Sequence, residues 1–204
     1  MINTIIFDIG NVLADFKVRE YLSGYGYDDE TNRIIAANTF ENEKWCEVDR
    51  SVMTQSELAD YLSEDCPQLR EKIYLFLENL CDSIHENHYS VKLIDTLKER
   101  GLKVLVLSNY GLETYEKSKE KFEFLKHIDG GIISCYVKCV KPEPQIYDML
   151  IEKYKLVPQE SLFFDDREEN IVAAREKGIN AVLTDDGYAS ILNGLKEYGI
   201  NIEA

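Results

Sequence analysis

Thr4-Ile5-Ile6-Phe7-Asp8-Ile9-Gly10-Asn11-Val12-Leu13 sets a short apolar run directly before an aspartate. Ile5, Ile6 and Phe7 are apolar at consecutive positions, not alternating ones, which is how a strand buried on both faces of a parallel sheet reads. Four later runs close in the same manner on a polar or small residue. Residues 103–107 stop at Ser108, 131–133 at Ser134, 161–164 at Asp165 and 181–183 at Thr184.

Outward from these runs, helical patterns fill the later intervals. Residues 91–100 carry Leu93, Ile94 and Leu97 on one face and stop at Gly101, a C-terminal cap. Residues 144–154 space Ile146, Met149, Leu150 and Tyr154 at helical intervals, and residues 168–177 end at Gly178. Strand–helix alternation with buried strands predicts a doubly wound parallel α/β sheet. Residues 16–88 break that rhythm. They hold helix-like pieces at 33–40, 56–62 and 69–80, a capping box of Thr54 with Glu57, and no buried strand. The expected organisation is a core of residues 1–15 and 89–204 with an all-helical cap, residues 16–88, inserted after the first strand.

The chain of 204 residues carries 38 acidic against 23 basic side chains, a net charge of -15. A surface this acidic repels nucleic-acid phosphates and anionic lipid, so neither nucleic acid nor a membrane is an expected partner. A small anionic substrate stays compatible if its site carries a metal or a lysine. The five cysteines are odd in number and irregularly spaced, which predicts reduced thiols and a cytoplasmic protein. The stretch before Asp8 is too short and lacks the basic flank for a signal peptide, and no later run approaches spanning length. A soluble monomer or small homo-oligomer is expected.

In an open α/β sheet, ligands bind beyond the carboxyl ends of the strands. The residues there are Asp8, Ser108-Asn109, Lys141 and Asp165-Asp166. Taken singly, each has an ordinary reading as a turn, a helix cap or a solvated loop. Together they form the set that phosphoryl transfer needs: a nucleophile, hard oxygen ligands for a cation, and donors for phosphate oxygens.

Four stretches carry a family resemblance, in family order. Phe7-Asp8-Ile9-Gly10-Asn11-Val12-Leu13 resembles the first motif of the haloacid dehalogenase-like superfamily, and Val106-Leu107-Ser108-Asn109 the second. Val140-Lys141-Pro142-Glu143-Pro144-Gln145-Ile146-Tyr147 resembles the third, and Phe163-Phe164-Asp165-Asp166-Arg167-Glu168-Glu169-Asn170-Ile171 the fourth. The resemblance implies a Rossmann-like core, a helical cap and a Mg²⁺-dependent phosphatase acting on a small phosphorylated metabolite. Within the superfamily, the first and fourth motifs look most like bacterial phosphatases of sugar phosphates, glucose-1-phosphate phosphatase among them.

Residue by residue, the resemblance makes Asp8 the nucleophile that becomes an aspartyl-phosphate. It gives Mg²⁺ to Asp8, Asp166 and the backbone carbonyl of Gly10. Ser108 and the Asn109 N–H would grip a phosphate oxygen, Lys141 would neutralise charge and orient Asp8, and Asp165 would position Lys141 or the metal's waters. One position departs from the pattern: the family's phosphatases usually carry a second aspartate, a general acid–base, where this chain has Gly10. Such a group contributes roughly 10²–10⁴-fold in rate. Water, a cap residue or a leaving group needing little help, such as an anomeric hydroxyl, would have to compensate.

Two other functions fit the same residues. A 2-haloacid dehalogenase uses the same fold and a nucleophilic aspartate, but typically lacks the acidic pair that Asp165-Asp166 supplies. A non-catalytic binder of a phosphorylated ligand would account for Gly10, though not for Asp8, Lys141 and Asp166 together. Of the remaining candidates, Lys138 reads as a surface lysine where related sequences have glycine. Trp45 reads as cap core. His85, His88 and His127 form no metal-binding spacing, and Cys135 with Cys139 lacks the second pair that zinc would need.

Overall fold

The computed structural model describes residues 1–202. The chain begins with β1 (Thr4–Phe7) and a short β2 (Ala14–Phe16), then runs through α1 (Val18–Ser23), α2 (Asp29–Asn38), α3 (Trp45–Arg50), α4 (Gln55–Leu62) and α5 (Arg70–Glu78). It returns by β3 (Ile84–Glu86) and α6 (Ser90–Glu99) to β4 (Lys103–Ser108), α7 (Leu112–Ser118) and β5 (Gly130–Ile133). Then follow α8 (Ser134–Val137), α9 (Pro144–Tyr154), β6 (Ser161–Asp165), α10 (Glu168–Glu176), β7 (Asn180–Leu183) and α11 (Gly187–Glu197).

All five expected strands are present and pair in parallel in the order β5-β4-β1-β6-β7. β1 is central, so Asp8 leaves the sheet between the ends of β4 and β6. Consecutive apolar residues let each strand pack on both faces. Ile5, Phe7, Val106 and Phe164 meet Leu93, Ile94 and Leu97 of α6 and Ile191 and Leu195 of α11. Ile6, Leu105, Leu107 and Phe163 meet α9 and α10 through Ile146, Tyr147, Leu150, Ile171 and Ala174. The fold is a doubly wound α/β sheet. Gly101 and Gly178 end their helices at φ +79° and +77°, a backbone region that strains L side chains.

Residues 18–80 build a third apolar cluster of their own, including Val18, Leu22, Ile35, Leu58, Ile73 and Phe76. Thr54 and Glu57 close the capping box at the start of α4, with Thr54 N–H donating to Glu57 Oε2 at 2.8 Å. Two expectations need correction. The stretch 16–88 is not wholly helical: β2 and β3 form an antiparallel ribbon with Phe16 opposite Ile84, each strand too short for a period to register in sequence. On α9, Met149 is 38% exposed, whereas Tyr147 is fully buried and donates its hydroxyl to Asn170 O at 3.1 Å. The polar end of the tyrosine finds a carbonyl, so the ring can turn inward.

Candidate active site

The parallel strands deliver their C-terminal residues to one edge, and the side chains predicted there converge. Lys141 Nζ lies 2.9 Å from Asp8 Oδ1 and 2.6 Å from Asp165 Oδ2, and all three residues are buried. Asp8 Oδ1 also accepts from the Ile9 N–H at 2.7 Å. Asp165 is fully engaged, since its Oδ1 accepts from Arg167 N–H and Asn170 Nδ2, both at 2.9 Å. It therefore anchors Lys141 and the start of α10. Asp166 is less buried, and its Oδ2 accepts from Asn11 Nδ2 at 2.8 Å.

Ser108 is 1% exposed, and its hydroxyl is without a partner among the described residues, an arrangement that costs free energy unless a ligand supplies one. The Asn109 side chain faces the Lys141 backbone, donating to its carbonyl at 2.9 Å and accepting its N–H at 2.7 Å. Asn109 thus holds the lysine's loop through its side chain, a task the sequence alone did not indicate. Gly10 borders the site, and a Cβ added there would meet no atom within 4 Å. Nothing steric excludes a side chain at position 10.

Burial dominates the electrostatics. It raises the Asp8 carboxyl to about 7, with Lys141 opposing and Asp165 and Asp166 adding to the rise. Burial also raises Asp166, against the Asn11 hydrogen bond. Burial works against the Lys141 ammonium, but Asp165 and Asp8 outweigh it and push its proton affinity up. Carboxylate oxygens of Asp8, Asp165 and Asp166 come within 4.8 Å of one another. Three carboxylates against one buried ammonium leave an excess of negative charge on hard oxygen donors, which suits Mg²⁺.

Over these groups lies a cavity of about 260 Å³. Its floor is the sheet edge, and its roof comes from the helical segment through Phe40, Trp45, Val48, Asp49 and Leu80. Two residues without a predicted role stand out. Asn11 sits at φ +55°, where asparagine is among the better tolerated residues, and steers Asp166. Asp49, a half-buried residue, lines the cavity, and no periodicity marks it in sequence. Trp45 packs on the helical cluster and also reaches the cavity. Lys138 adopts φ +56°, which accounts for the glycine expected there, and donates to the Ser51 carbonyl. The five cysteines are free thiols, and Cys139 contacts Glu143 outside the cavity lining.

The family model for haloacid dehalogenase-like hydrolases matches residues 2–178. The chain belongs to this family. Among solved structures, this haloacid dehalogenase-like hydrolase superposes with TM-score 0.76 on a predicted hydrolase of the same family from Porphyromonas gingivalis, at 18% identity over 97% of this chain and 98% of that one. A family enzyme from Bacteroides thetaiotaomicron, in complex with magnesium and inorganic phosphate, matches with TM-score 0.69 and 20% identity, covering 90% of this chain and 94% of its own. L-2-haloacid dehalogenase from Xanthobacter autotrophicus matches with TM-score 0.69 and 15% identity over 99% of this chain and 85% of that one. At such identities these likenesses speak to fold.

Among curated relatives, mouse bifunctional epoxide hydrolase 2 is 35% identical over 91 residues, which are 43% of this chain and 16% of the relative. The phosphorylated carbohydrates phosphatase of Thermotoga maritima is 25% identical over 134 residues, 58% of this chain and 62% of that protein. The haloacid dehalogenase-like chain thus spans between 16% and 30% of the length of the mammalian epoxide hydrolases it matches. Among the described residues, no helix is long and apolar enough to cross a membrane.

Proposed function

We propose that this hydrolase is a Mg²⁺-dependent phosphatase of a small phosphorylated metabolite, a sugar phosphate of the glucose-1-phosphate class, working through an aspartyl-phosphate. One observation carries the reading: Asp8 and Asp165 pair with buried Lys141, Asp166 clusters with both carboxylates, and the Ser108 hydroxyl lining the same cavity has no partner among the described residues. The 2-haloacid dehalogenases typically lack the acidic pair that Asp165 and Asp166 supply. A passive binder gains nothing from a buried, lysine-oriented Asp8.

In this reading Asp8 attacks phosphorus, and Lys141 holds its attacking carboxylate in place while offsetting its charge. Ser108 donates its spare hydroxyl proton to a phosphate oxygen, and the Asn109 N–H lies beside it. Asp8, Asp166 and the Gly10 carbonyl would hold Mg²⁺, which supplies charge neutralisation for the phosphoryl oxygens. Asp165 keeps Lys141 aimed. Residues 16–88 serve as a cap that excludes water from the cavity, with residues 1–15 and 89–204 as the core. The sugar-phosphate class also draws on the likeness to the Thermotoga maritima enzyme, whose name describes that chemistry.

The test is phosphate release from sugar 1-phosphates, sugar 6-phosphates, nucleotides and phosphoglycolate, with and without Mg²⁺, alongside chloride release from 2-chloropropionate. Mg²⁺-dependent phosphate release that disappears in Asp8→Asn is expected. Chloride release, or silence across the whole panel from a folded protein that still binds Mg²⁺, would overturn the reading.

A further inference from the structure

One carboxylate of the cavity is idle in this phosphatase chemistry. Asp49, near the end of α3, lines the same cavity as Asp8 and Gly10, and is the sole titratable side chain that residues 16–84 contribute to that lining. Its carboxylate makes no hydrogen bond or ion pair among the described residues. Burial, then the nearby charge of Asp8, raise it to about 7, against the opposing pull of Lys141 and Arg167.

Its place is fixed by the core. The Asp49 carbonyl accepts from Ser134 Oγ at 2.7 Å, and Ser134 Oγ in turn accepts from the Tyr110 N–H at 2.8 Å. On the next residue, Arg50 forms a two-pronged pair with Glu143 of the Lys141 loop. Ser51 Oγ accepts from Leu112 N–H at 2.6 Å, and the Ser51 carbonyl accepts from Lys138. Val48 O lies 3.1 Å from where a Cβ on Gly111 would stand, so the backbones are in close approach. Residues 48–51 are thus stitched to the loops after β4 and β5, which holds Asp49 over the floor.

In-line displacement supplies the remaining constraint. With Asp8 attacking from the floor, the leaving oxygen departs on the opposite side of phosphorus, toward the roof. We propose that Asp49 is the general acid–base of this site and takes the part that Gly10 cannot play; the inference rests on the phosphatase reading. In the first half-reaction an Asp8 oxygen bonds to phosphorus, the phosphorus–oxygen bond to the leaving group breaks, and protonated Asp49 gives its proton to that oxygen. In the second, water enters from the vacated side, Asp49 takes its proton, and the Asp8–phosphorus bond breaks to release inorganic phosphate. A roof-borne acid extends the substrate class to unactivated alcohols, such as primary sugar alcohol phosphates. The anomeric leaving group is then not required.

The experiment compares wild type with Asp49→Asn on glycerol phosphate and on p-nitrophenyl phosphate. Asp49→Asn is expected to lower turnover of glycerol phosphate by about 10²–10⁴-fold. With p-nitrophenyl phosphate, whose leaving group needs no proton, it should show a burst of one nitrophenolate per enzyme and then slow turnover. Intact mass should find one phosphoryl group retained on the variant, lost on adding Asp8→Asn. Gly10→Asp placed in the Asp49→Asn background should restore turnover, because position 10 is open and borders the same cavity. Thermal unfolding checks that the variants fold, and Asp49→Ser carries the same comparison if Asp49→Asn does not. Equal losses on both substrates without burst or phosphoenzyme, or no loss at all, would overturn the role of Asp49 and leave the phosphatase reading standing. A wild-type protein inert toward every phosphate would remove both.

Discussion

Lys141→Met removes the one cation that touches both Asp8 and Asp165. The ammonium is 1% exposed, and the two carboxylate side chains are 11% and 0% exposed. Asp165 would keep its bonds from Arg167 N–H and Asn170, and Asp8 its bond from Ile9 N–H. Each loses its only charged partner among the described residues. Removing one member of a buried pair costs about 3–5 kcal/mol because the survivor stays buried and uncompensated. For a domain of this size, each kcal/mol shifts Tm by roughly 2–4 °C, which gives a fall of roughly 6–20 °C.

The fall has a pH signature. In the wild type Lys141 opposes the rise of the Asp8 carboxyl. Without it, Asp8 holds its proton to higher pH in the folded state, whereas the unfolded chain releases it near 3.8. Above about 7 the folded variant still carries a proton that the folded wild type has released, so its stability deficit is level on the acid side and grows as pH rises through about 7. Thermal unfolding of metal-free wild type and Lys141→Met, at about pH 6 and about pH 8.5, reads both quantities. A deficit under about 1 kcal/mol at the higher pH, or one that shrinks as pH rises, would refute the view that this lysine holds the two carboxylates.

Further outcomes follow from the same contacts. Ser108→Ala deletes a hydroxyl with no bond to lose, so Tm should hold within a few degrees while phosphate binding, read by calorimetry with Mg²⁺, weakens; a large Tm loss would contradict a free hydroxyl. Asp8 and Asp49 both keep protons up to about 7 when folded, so metal-free stability should fall as pH rises from about 4 to about 7. Mg²⁺ needs the ionised carboxylates, so its stabilisation should be larger at about pH 8 than at about pH 5.5 and should vanish in Asp166→Asn; equal stabilisation at both would count against the carboxylate site. Glu143, held down to about 2 mainly by its hydrogen bonds from Arg50, should release the roof when changed to Gln. Faster proteolysis near residues 48–51 and a raised KM are expected, and unchanged cleavage would show that the pair does not fasten the roof.

The sheet was legible because its strands are apolar at consecutive positions, and each ends on the polar residue it delivers. Asp8, Ser108 and Asp165 meet at one edge for that reason, Asp166 follows one residue on, and Lys141 reaches the edge from the loop after α8. Asn109 was in the right place, but its side-chain task follows from how two loops lie together. Asp49 left no trace in sequence, since an aspartate between Val48 and Arg50 on a six-residue helix looks like any solvated one. Its position depends on contacts to Ser134, Glu143 and Leu112, residues distant along the chain. The β2–β3 ribbon was missed because three residues cannot display a period of two, and Met149 was misplaced because helical spacing defines a stripe without its centre.

That ribbon also bears on what the sheet experiences of the segment above it. Phe16 leaves and Ile84 returns as paired neighbours, so from the sheet's side the whole excursion is equivalent to a hairpin turn. The entropy of closing the long loop is met within the excursion by its own apolar cluster, and the ribbon delivers both ends at a fixed spacing. Helices above the ribbon other than α3, whose end is fastened to the loops after β4 and β5, can therefore be lengthened or shortened without altering the register of β1 or the position of Asp8. The sheet edge that carries Asp8 and the helices away from α3 are free to diverge at different rates.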